Sequence, residues 1–209
     1  MNLQETRKLK NFEHIVTLVE CGVFVGLAAV LSELKIFENV LGGSITLLSM
    51  FPIILISFRH GVKWGVGSAF AYSIIQLIFG FDNFAYVPTT AGVVMSILFD
   101  YILPFTALGL AGIINIKKND TTKTQLLKVV VGTVSVILLR YIFHVISGAV
   151  IWHEINIVLG WDENALTRGP LLFSLLYNLS YMGPDSIPVI LLSPLLVKLR
   201  TVMNNKINN

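Results

Sequence analysis

The strongest constraint on this chain is a series of long apolar stretches separated by short polar ones. A helix needs about 20 mainly apolar residues to cross a bilayer. We predict helices over residues 12–34, 45–58, 62–81, 90–116, 126–152 and 170–199. The second stretch is short, opens on Gly42-Gly43-Ser44 and contains Pro52, which fits a kinked or partly re-entrant helix. The predicted fold class is all-α: a polytopic integral membrane protein with six transmembrane helices in a single domain over 1–209.

The charge content supports a lipid environment. Only 13% of the residues are charged and the mean hydropathy is +0.77, whereas a soluble domain carries about 25% charge. This composition argues against a soluble enzyme, a nucleic-acid-binding protein and a disordered chain. The single cysteine, Cys21, excludes an internal disulfide and a cysteine metal cluster, and we interpret it as a small buried hydrophobe.

The distribution of Lys and Arg predicts the orientation. With the N-terminus inside, only Lys35 and Arg168 fall in outer segments, and basic loops face the cytoplasm. The inner segments hold Arg7, Lys8, Lys10, Arg59, Lys63, Lys117, Lys118, Lys123, Lys128, Lys198, Arg200 and Lys206. Both termini are therefore predicted to be cytoplasmic.

Ionisable side chains inside a membrane span cost about 3 kcal/mol or more, so each is a candidate functional residue. Four stand out: Glu20, Asp100, Arg140 and His144. In the predicted topology three helices bring an acid, an imidazole, an amide and several aromatic rings to a similar outer depth. These residues are Asp100, His144, Trp152, Phe173, Tyr177, Asn178 and Tyr181.

The chemistry of this group favours a flat organic cation. A carboxylate attracts positive charge, and aromatic faces add cation–π attraction. Asn178, His144 and Tyr101 can pair with ring nitrogens, an amino group or a hydroxyl. The sequence has no hydrolase, metalloprotease or Walker A motif, so we predict no catalytic residue, no metal site and no enzyme activity.

Each feature also has a purely structural interpretation. The aromatic stripe can pack as core, Asn178 can hold helices together, and Asp100 can pair with Arg140. For Glu20 we prefer an ion pair with Arg140, and we expect His153 to be solvated at the outer edge. The Gly22-x-x-x-Gly26 face of the first helix could meet either a partner helix or this chain's own helices.

Several blocks of sequence resemble the thiamine-specific S-component of energy-coupling factor (ECF) transporters. They are Gly-Gly-Ser at 42–44, the stretch 52–65 ending Phe-Arg-His-Gly-Val-Lys-Trp-Gly, Leu-Phe-Asp-Tyr at 98–101, Ala-Leu-Gly-Leu-Ala-Gly at 107–112, the stretch 139–152 containing His-Val-Ile-Ser-Gly, Phe-Ser-Leu-Leu-Tyr-Asn at 173–178 and Tyr-Met-Gly-Pro at 181–184. The blocks occur in order across most of the membrane region.

The resemblance implies a six-helix protein of the cell membrane that binds thiamine near the outer face and needs no cofactor. Its implied partners are membrane lipid, a transmembrane coupling protein and two ATP-binding-cassette ATPases on separate chains. It also implies ligand contacts from Asp100 and Tyr101 and from the ring-contacting His144, Trp152 and Asn178. Gly22 and Gly26 correspond to the face that meets the coupling protein.

We therefore predict a thiamine-capturing subunit. Trp152 would stack on a ring and Asp100 would neutralise charge or accept the exocyclic amine. Asn178 and His144 would contact the pyrimidine edge, and Tyr101 the hydroxyethyl end. The alternatives are an S-component for another heterocyclic vitamin or pyrimidine precursor, a stand-alone proton-coupled carrier, and a small intramembrane enzyme using Asp100 and His144.

Overall fold

The computed structural model describes residues 3–39, 42–117 and 119–199 of the chain. Its regular elements are α1 (Leu3–Glu33), β1 (Lys35–Glu38), β2 (Ser44–Thr46), α2 (Met50–His60), α3 (Val62–Phe79), α4 (Thr90–Ser96), α5 (Leu103–Ala107), α6 (Thr122–Ser147), α7 (His153–Leu159), α8 (Asn164–Thr167) and α9 (Pro170–Leu192). The predicted all-α class is confirmed. Of the basic residues assigned to the inner side, Lys118, Arg200 and Lys206 lie outside the described residues.

Two π-helical stretches interrupt the long helices. The first π segment, Ile97–Ile102, joins α4 to α5, and the second π segment, Gly148–Trp152, joins α6 to α7. Short 3-10 helices cover Phe81–Tyr86 and Leu108–Ile113. Because π turns are uncommon and occur frequently at functional sites, these two segments single out the parts of the bundle around Asp100 and Trp152.

Four stretches of the described chain are long and apolar enough to cross a membrane: Arg7–Glu33, Val62–Phe79, Thr90–Ile113 and Thr122–Leu159. The α2 helix is apolar but shorter. These spans agree with a multi-pass membrane protein. The count of six spans and the cytoplasmic position of both termini remain predictions.

The first helix is longer than predicted. It begins at Leu3 rather than near residue 12, because the charged residues before the apolar run, such as Lys8 and Lys10, are themselves good helix formers. Along the apolar part, one face is buried at Cys21 and Ala28, as expected for Cys21, while side chains such as Val23 remain exposed. A long apolar face therefore lies open on α1.

The predicted second helix is wrong at its beginning. Residues 44–46 form β2, which pairs antiparallel with β1 through Phe37↔Ile45 and Glu38↔Ser44. The chain reverses at Gly42, whose φ of 80° suits glycine. Pro52 does not kink α2: it lies in the first turn, where a backbone N–H has no intrahelical acceptor.

The short α2 helix occupies the centre of the bundle, where Ile53, Ile54 and Ile56 are fully buried. It packs against α1, α3 and the 3-10 helix Leu108–Ile113. A Cβ added at Gly109 would lie 2.4 Å from the carbonyl oxygen of Gly65, so only glycine permits this helix crossing. The glycine-rich blocks at 58–65 and 107–112 therefore serve close packing.

The remaining helices build the wall around the site. The α6 helix begins at Thr122, four residues before the predicted start, because the Thr121 hydroxyl accepts a hydrogen bond from the Thr124 N–H and caps it. Its helical path then continues through the second π segment to Leu159, beyond the predicted end at 152. The α9 helix packs along α6 and contacts β2, so α9 joins the hairpin to the rest of the bundle.

Candidate functional site

A cavity of about 330 Å³ lies between the β1–β2 hairpin, α3, the first π segment, α6 and α9. Small-molecule sites usually fall between about 300 and 1,000 Å³. The structure brings all the predicted ligand residues to this one cavity: Asp100, Tyr101, His144, Trp152, Phe173, Tyr177 and Asn178. The side chains that the sequence analysis grouped as one site therefore line one cavity in the structure.

Asp100 lies on the first π segment and uses one carboxylate oxygen for neutral donors. Its Oδ2 atom accepts hydrogen bonds from Ser96 Oγ at 2.6 Å, Ser147 Oγ at 2.7 Å and Trp152 Nε1 at 2.8 Å. The other oxygen, Oδ1, is 3.7 Å from Nδ1 of His144, beyond hydrogen-bond distance. Asp100 is thus held in place through Oδ2, whereas Oδ1 accepts no hydrogen bond from the described residues.

The indole of Trp152 is fixed by the same carboxylate. Trp152 ends the second π segment, so its hydrogen bond to Asp100 links the two π segments directly. Ser147, the residue before that segment, adds a further link. The backbone departs from α geometry at both residues of this hydrogen bond. We therefore attribute the orientation of Asp100 and Trp152 toward each other to the two π segments.

Asn178 is held by four hydrogen bonds. Its Nδ2 donates to the carbonyl oxygens of Ser174 and His144 and to Ser174 Oγ, while its Oδ1 accepts from the hydroxyl of Tyr181 at 2.7 Å. The contact with the His144 carbonyl oxygen ties α9 to α6, as in the structural interpretation given to Asn178, and the other three lie within α9. Tyr181 was part of the predicted stripe but not of the predicted ligand set, although it also lines the cavity.

The aromatic stripe forms one wall of the cavity. The rings of Phe173 and Tyr177 are stacked, with centroids 5.9 Å apart and planes 21° apart. Tyr181 meets Tyr177 edge-on at 5.7 Å. On the opposite side the hydroxyl of Tyr101 donates to the Gly80 carbonyl oxygen and accepts from Asn83 Nδ2, both at 3.1 Å. Tyr101 therefore lines the cavity with its hydroxyl already tied to the wall.

A buried pair lies beside the cavity. The Nη1 atom of Arg140 is 3.7 Å from Oδ2 of Asp185, and the guanidinium lies 4.6 Å above the ring of Phe105. Asp185 Oδ1 accepts from the N–H and the hydroxyl of Thr46, which anchors β2 to α9. Sequence reasoning missed Asp185, although an acid inside a predicted span was the signal used for the other candidates.

The predicted ion pair between Glu20 and Arg140 is wrong. Glu20 instead receives two hydrogen bonds from Arg59, at 2.6 and 3.0 Å, and contacts Nε2 of His60 at 2.6 Å. The pairing of Asp100 with Arg140 also fails among the described residues, since the acid within 4 Å of Arg140 is Asp185. Helix α2 brings the Arg59–His60 pair to α1, a contact that spacing alone does not reveal.

The expectation that His153 is solvated is also wrong. Its side chain is buried, and Nε2 lies 3.1 Å from the carbonyl oxygen of Ala165 and 3.0 Å from that of Arg168. The helix α8 and the segment after it fold back over this end of the bundle. His153 holds that segment against α7.

The glycines of α1 face outward. A Cβ added at Gly22 or Gly26 would meet no atom of the described residues within 4 Å, and both glycines are exposed. Of the two interpretations left open, packing against the described helices of this chain is therefore excluded. Their role as a partner interface remains a prediction.

Comparison with known proteins agrees with this architecture. Residues 18–205 match the family model described as thiamine transporter protein. The chain is 33% identical over 184 residues to the thiamine transporter ThiT of Bacillus subtilis (strain 168), covering 84% of this chain and 86% of that one. A solved structure of ThiT from Listeria monocytogenes superimposes with a TM-score of 0.64 at 18% identity, over 93% of this chain and 98% of that one, and shows the same fold.

These matches cover most of the chain at both the sequence and the fold level. They confirm the predicted family resemblance, the multi-pass cell-membrane location and the prediction that the protein is not an enzyme. The chain belongs to the thiamine transporter protein family.

Proposed function

We propose that this protein binds thiamine in the cavity at Asp100 and serves as the S-component of an ECF transporter. The observation that carries the proposal is the uncompensated charge of Asp100. In the described chain, no Lys or Arg lies within 4 Å of this carboxylate, whereas Asp185 has Arg140 beside it. A partly buried carboxylate with no lysine or arginine beside it favours a positively charged ligand.

The surrounding side chains fit the rest of a two-ring cation. Trp152, fixed by its hydrogen bond to Asp100, offers a ring face beside the acid. Asp100 Oδ1 faces either the thiazolium charge or the exocyclic amine, both of which attract a carboxylate. The Nε2 atom of His144 is buried without a hydrogen-bond partner in the described chain, and it supports contact with the pyrimidine edge.

Other members of the site set complete the enclosure in this proposal. Phe173 and Tyr177 supply a stacked aromatic wall. Asn178 contacts the pyrimidine edge from the position fixed by Ser174 and Tyr181. Tyr101 takes the hydroxyethyl end. The family and the relative from Bacillus subtilis, both described as thiamine transporters, support this choice of vitamin over another heterocycle.

The first test is a fluorescence titration of the purified protein. The chain has three tryptophans, Trp64, Trp152 and Trp161, and only Trp152 lines the cavity. We expect saturable quenching by thiamine that is lost in Trp152→Phe and kept in Trp64→Phe and Trp161→Phe. An uncharged thiazole analogue should bind more weakly. No saturable binding of thiamine, or preference for a pyrimidine precursor, would contradict the ligand assignment.

The proposed coupling surface is the open face of α1 at Gly22 and Gly26. Small exposed residues let a partner helix approach closely, and the neighbouring apolar side chains on α1 contact lipid or that partner. The partners in this proposal are a transmembrane coupling protein and two ATPase subunits. Delivery of thiamine would then depend on ATP hydrolysis by those subunits.

The coupling proposal is tested by reconstitution with these partners. Gly22→Leu and Gly26→Leu should leave thiamine binding unchanged but abolish ATP-driven uptake. Gly67→Leu is a matched control, because Gly67 is also an exposed helical glycine with no atom within 4 Å of an added Cβ. Uptake that persists without ATPases and stops with an uncoupler would instead support the proton-coupled carrier.

A further inference from the structure

Arg140 is a buried cation whose donors are incompletely used. The residue is only 7% exposed and lines the cavity. Its Nε and Nη1 atoms have no hydrogen-bond partner within the described part of the chain. Burying an N–H donor without an acceptor is unfavourable, so these atoms call for an acceptor that the fold itself does not provide.

The neighbours of Arg140 balance its charge without satisfying its donors. Nη1 is 3.7 Å from Asp185 Oδ2, which is too long for a hydrogen bond. Phe105 lies under the guanidinium and accepts no directional bond from Nε. Thr46 holds Asp185 through Oδ1, so this carboxylate is anchored toward β2. Asp185 thus neutralises the guanidinium and Phe105 orients it. The Nε and Nη1 donors remain available at the cavity.

The position of Arg140 relative to Asp100 defines two poles of the cavity. Arg140 lies one helical turn, about 6 Å, before His144 on α6, and His144 is the residue whose ring approaches Asp100. Asp100 accepts hydrogen bonds from Ser147 and Trp152, which follow His144 in the chain, so the acid and the guanidinium lie on either side of His144. A ligand that extends past His144 from Asp100 reaches the donors of Arg140.

We propose that Arg140 is a further ligand-binding residue that donates a hydrogen bond to an acceptor atom of the bound vitamin. This inference rests on the proposed function. The acceptor is a pyrimidine ring nitrogen or the hydroxyl oxygen, the uncharged acceptors of thiamine. Asp100 then recognises positive charge, and Arg140 requires an acceptor at the other end, so that a hydrophobic cation of equal size is rejected.

The test is a set of binding cycles measured by tryptophan quenching. Three ligands are compared: thiamine, thiamine without its hydroxyl, and thiamine with a pyrimidine nitrogen replaced by CH. Arg140→Met should weaken thiamine binding roughly 10- to 100-fold. The analogue that lacks the contacted acceptor should bind the unmodified protein more weakly by a similar factor and lose little more in Arg140→Met. Arg140→Lys keeps the charge but not the planar fork, and should rescue only in part.

A variant with balanced charge guards against misfolding. Arg140→Met leaves Asp185 without its neighbouring cation, whereas Arg140→Met combined with Asp185→Asn removes both charges together. The cycle is repeated against Asp185→Asn alone. Equal weakening of all three ligands in both backgrounds, or no weakening of any, would overturn the role of Arg140 while leaving thiamine binding intact. Failure of the unmodified protein to bind thiamine would overturn the proposed function as well.

Discussion

Two carboxylates inside the bundle have opposite surroundings. Glu20 is held by the guanidinium of Arg59 through two hydrogen bonds and by the ring of His60. Among the described residues, the hydrogen bonds to Asp100 come from neutral donors, two hydroxyls and an indole N–H. The Glu20 cluster lies away from the cavity, whereas Asp100 lies on the cavity wall.

Under the proposed function, counter-charge, and not the mere presence of an acid in a span, separates a structural carboxylate from a ligand-binding one. A buried acid with a matched base has its charge cancelled by the fold. A buried acid fixed only by dipoles keeps its charge available to a ligand. The same rule places Asp185 between the two, because its neighbour Arg140 is close but not hydrogen-bonded to it.

The largest expected effect is on stability at the structural pair. Glu20→Gln leaves the buried guanidinium of Arg59, whose side chain is 1% exposed, without its counter-charge. We expect the free energy of unfolding to fall by about 3–5 kcal/mol, with little change in thiamine affinity. Thermal denaturation in detergent and a titration measure the two quantities. Glu13→Gln, at an exposed acid on the same helix, is the control.

The next effect reverses the pattern at Asp100. Asp100→Asn keeps an oxygen for the Ser and Trp donors but removes the charge, so we expect thiamine affinity to fall by about 100-fold or more with no loss of thermal stability. The control is Asp82→Asn, at an exposed acid that also lines the cavity, which should change affinity by less than about fivefold. Comparable affinity losses at both sites would erase the distinction drawn between Asp100 and a generally acidic cavity.

A smaller effect is expected at Asp185. In Asp185→Asn the amide oxygen still accepts from Thr46, but Arg140 becomes an uncompensated positive charge beside the cavity. Repulsion of a cationic ligand should lower thiamine affinity by about tenfold, equivalent to about 1.4 kcal/mol, although Asp185 is not among the cavity-lining residues. Isothermal calorimetry with thiamine and with an uncharged analogue separates charge from shape. The analogue's affinity should hardly change, and an equal loss for both ligands would argue for a distorted cavity.

Much of this arrangement could be predicted from sequence because membrane spans carry a strong signal. Apolar length identifies the spans, and an acid or imidazole within one is conspicuous, which is how Asp100 and His144 were found. Aromatic spacing on one helix likewise predicted the alignment of Phe173 with Tyr177. These are local patterns, and they were correct about which residues share the cavity.

Partner choice could not be predicted, because it depends on how helices cross. Glu20 and Arg140 are both apparent in the sequence, but α2 inserts at the centre of the bundle and presents Arg59 to Glu20. The hairpin was missed since Ile45 belongs equally well to a strand and to an apolar helix. The π segments have no sequence signature, so the bond between Asp100 and Trp152 emerges only from the fold.

The smallest effect concerns a carboxylate outside the spans, which tests whether burial gives the Glu20 pair its strength. The hydrogen bond from Lys128, at 2.7 Å, lowers the pKa of Asp120, and the backbone N–H of Lys117 adds to the shift. A carboxyl with a lowered pKa in the folded state stabilises the fold above its unfolded pKa, and this contribution is lost as the pH falls through the folded value.

Lys128→Met should therefore lower the melting temperature slightly at neutral pH, with the difference vanishing as the pH falls below about 4. Lys123→Met, at an exposed lysine that forms no ion pair within the described chain, should show no such pH dependence. A loss in Lys128→Met as large as that in Glu20→Gln would mean that a pair in water stabilises this protein as much as a buried one.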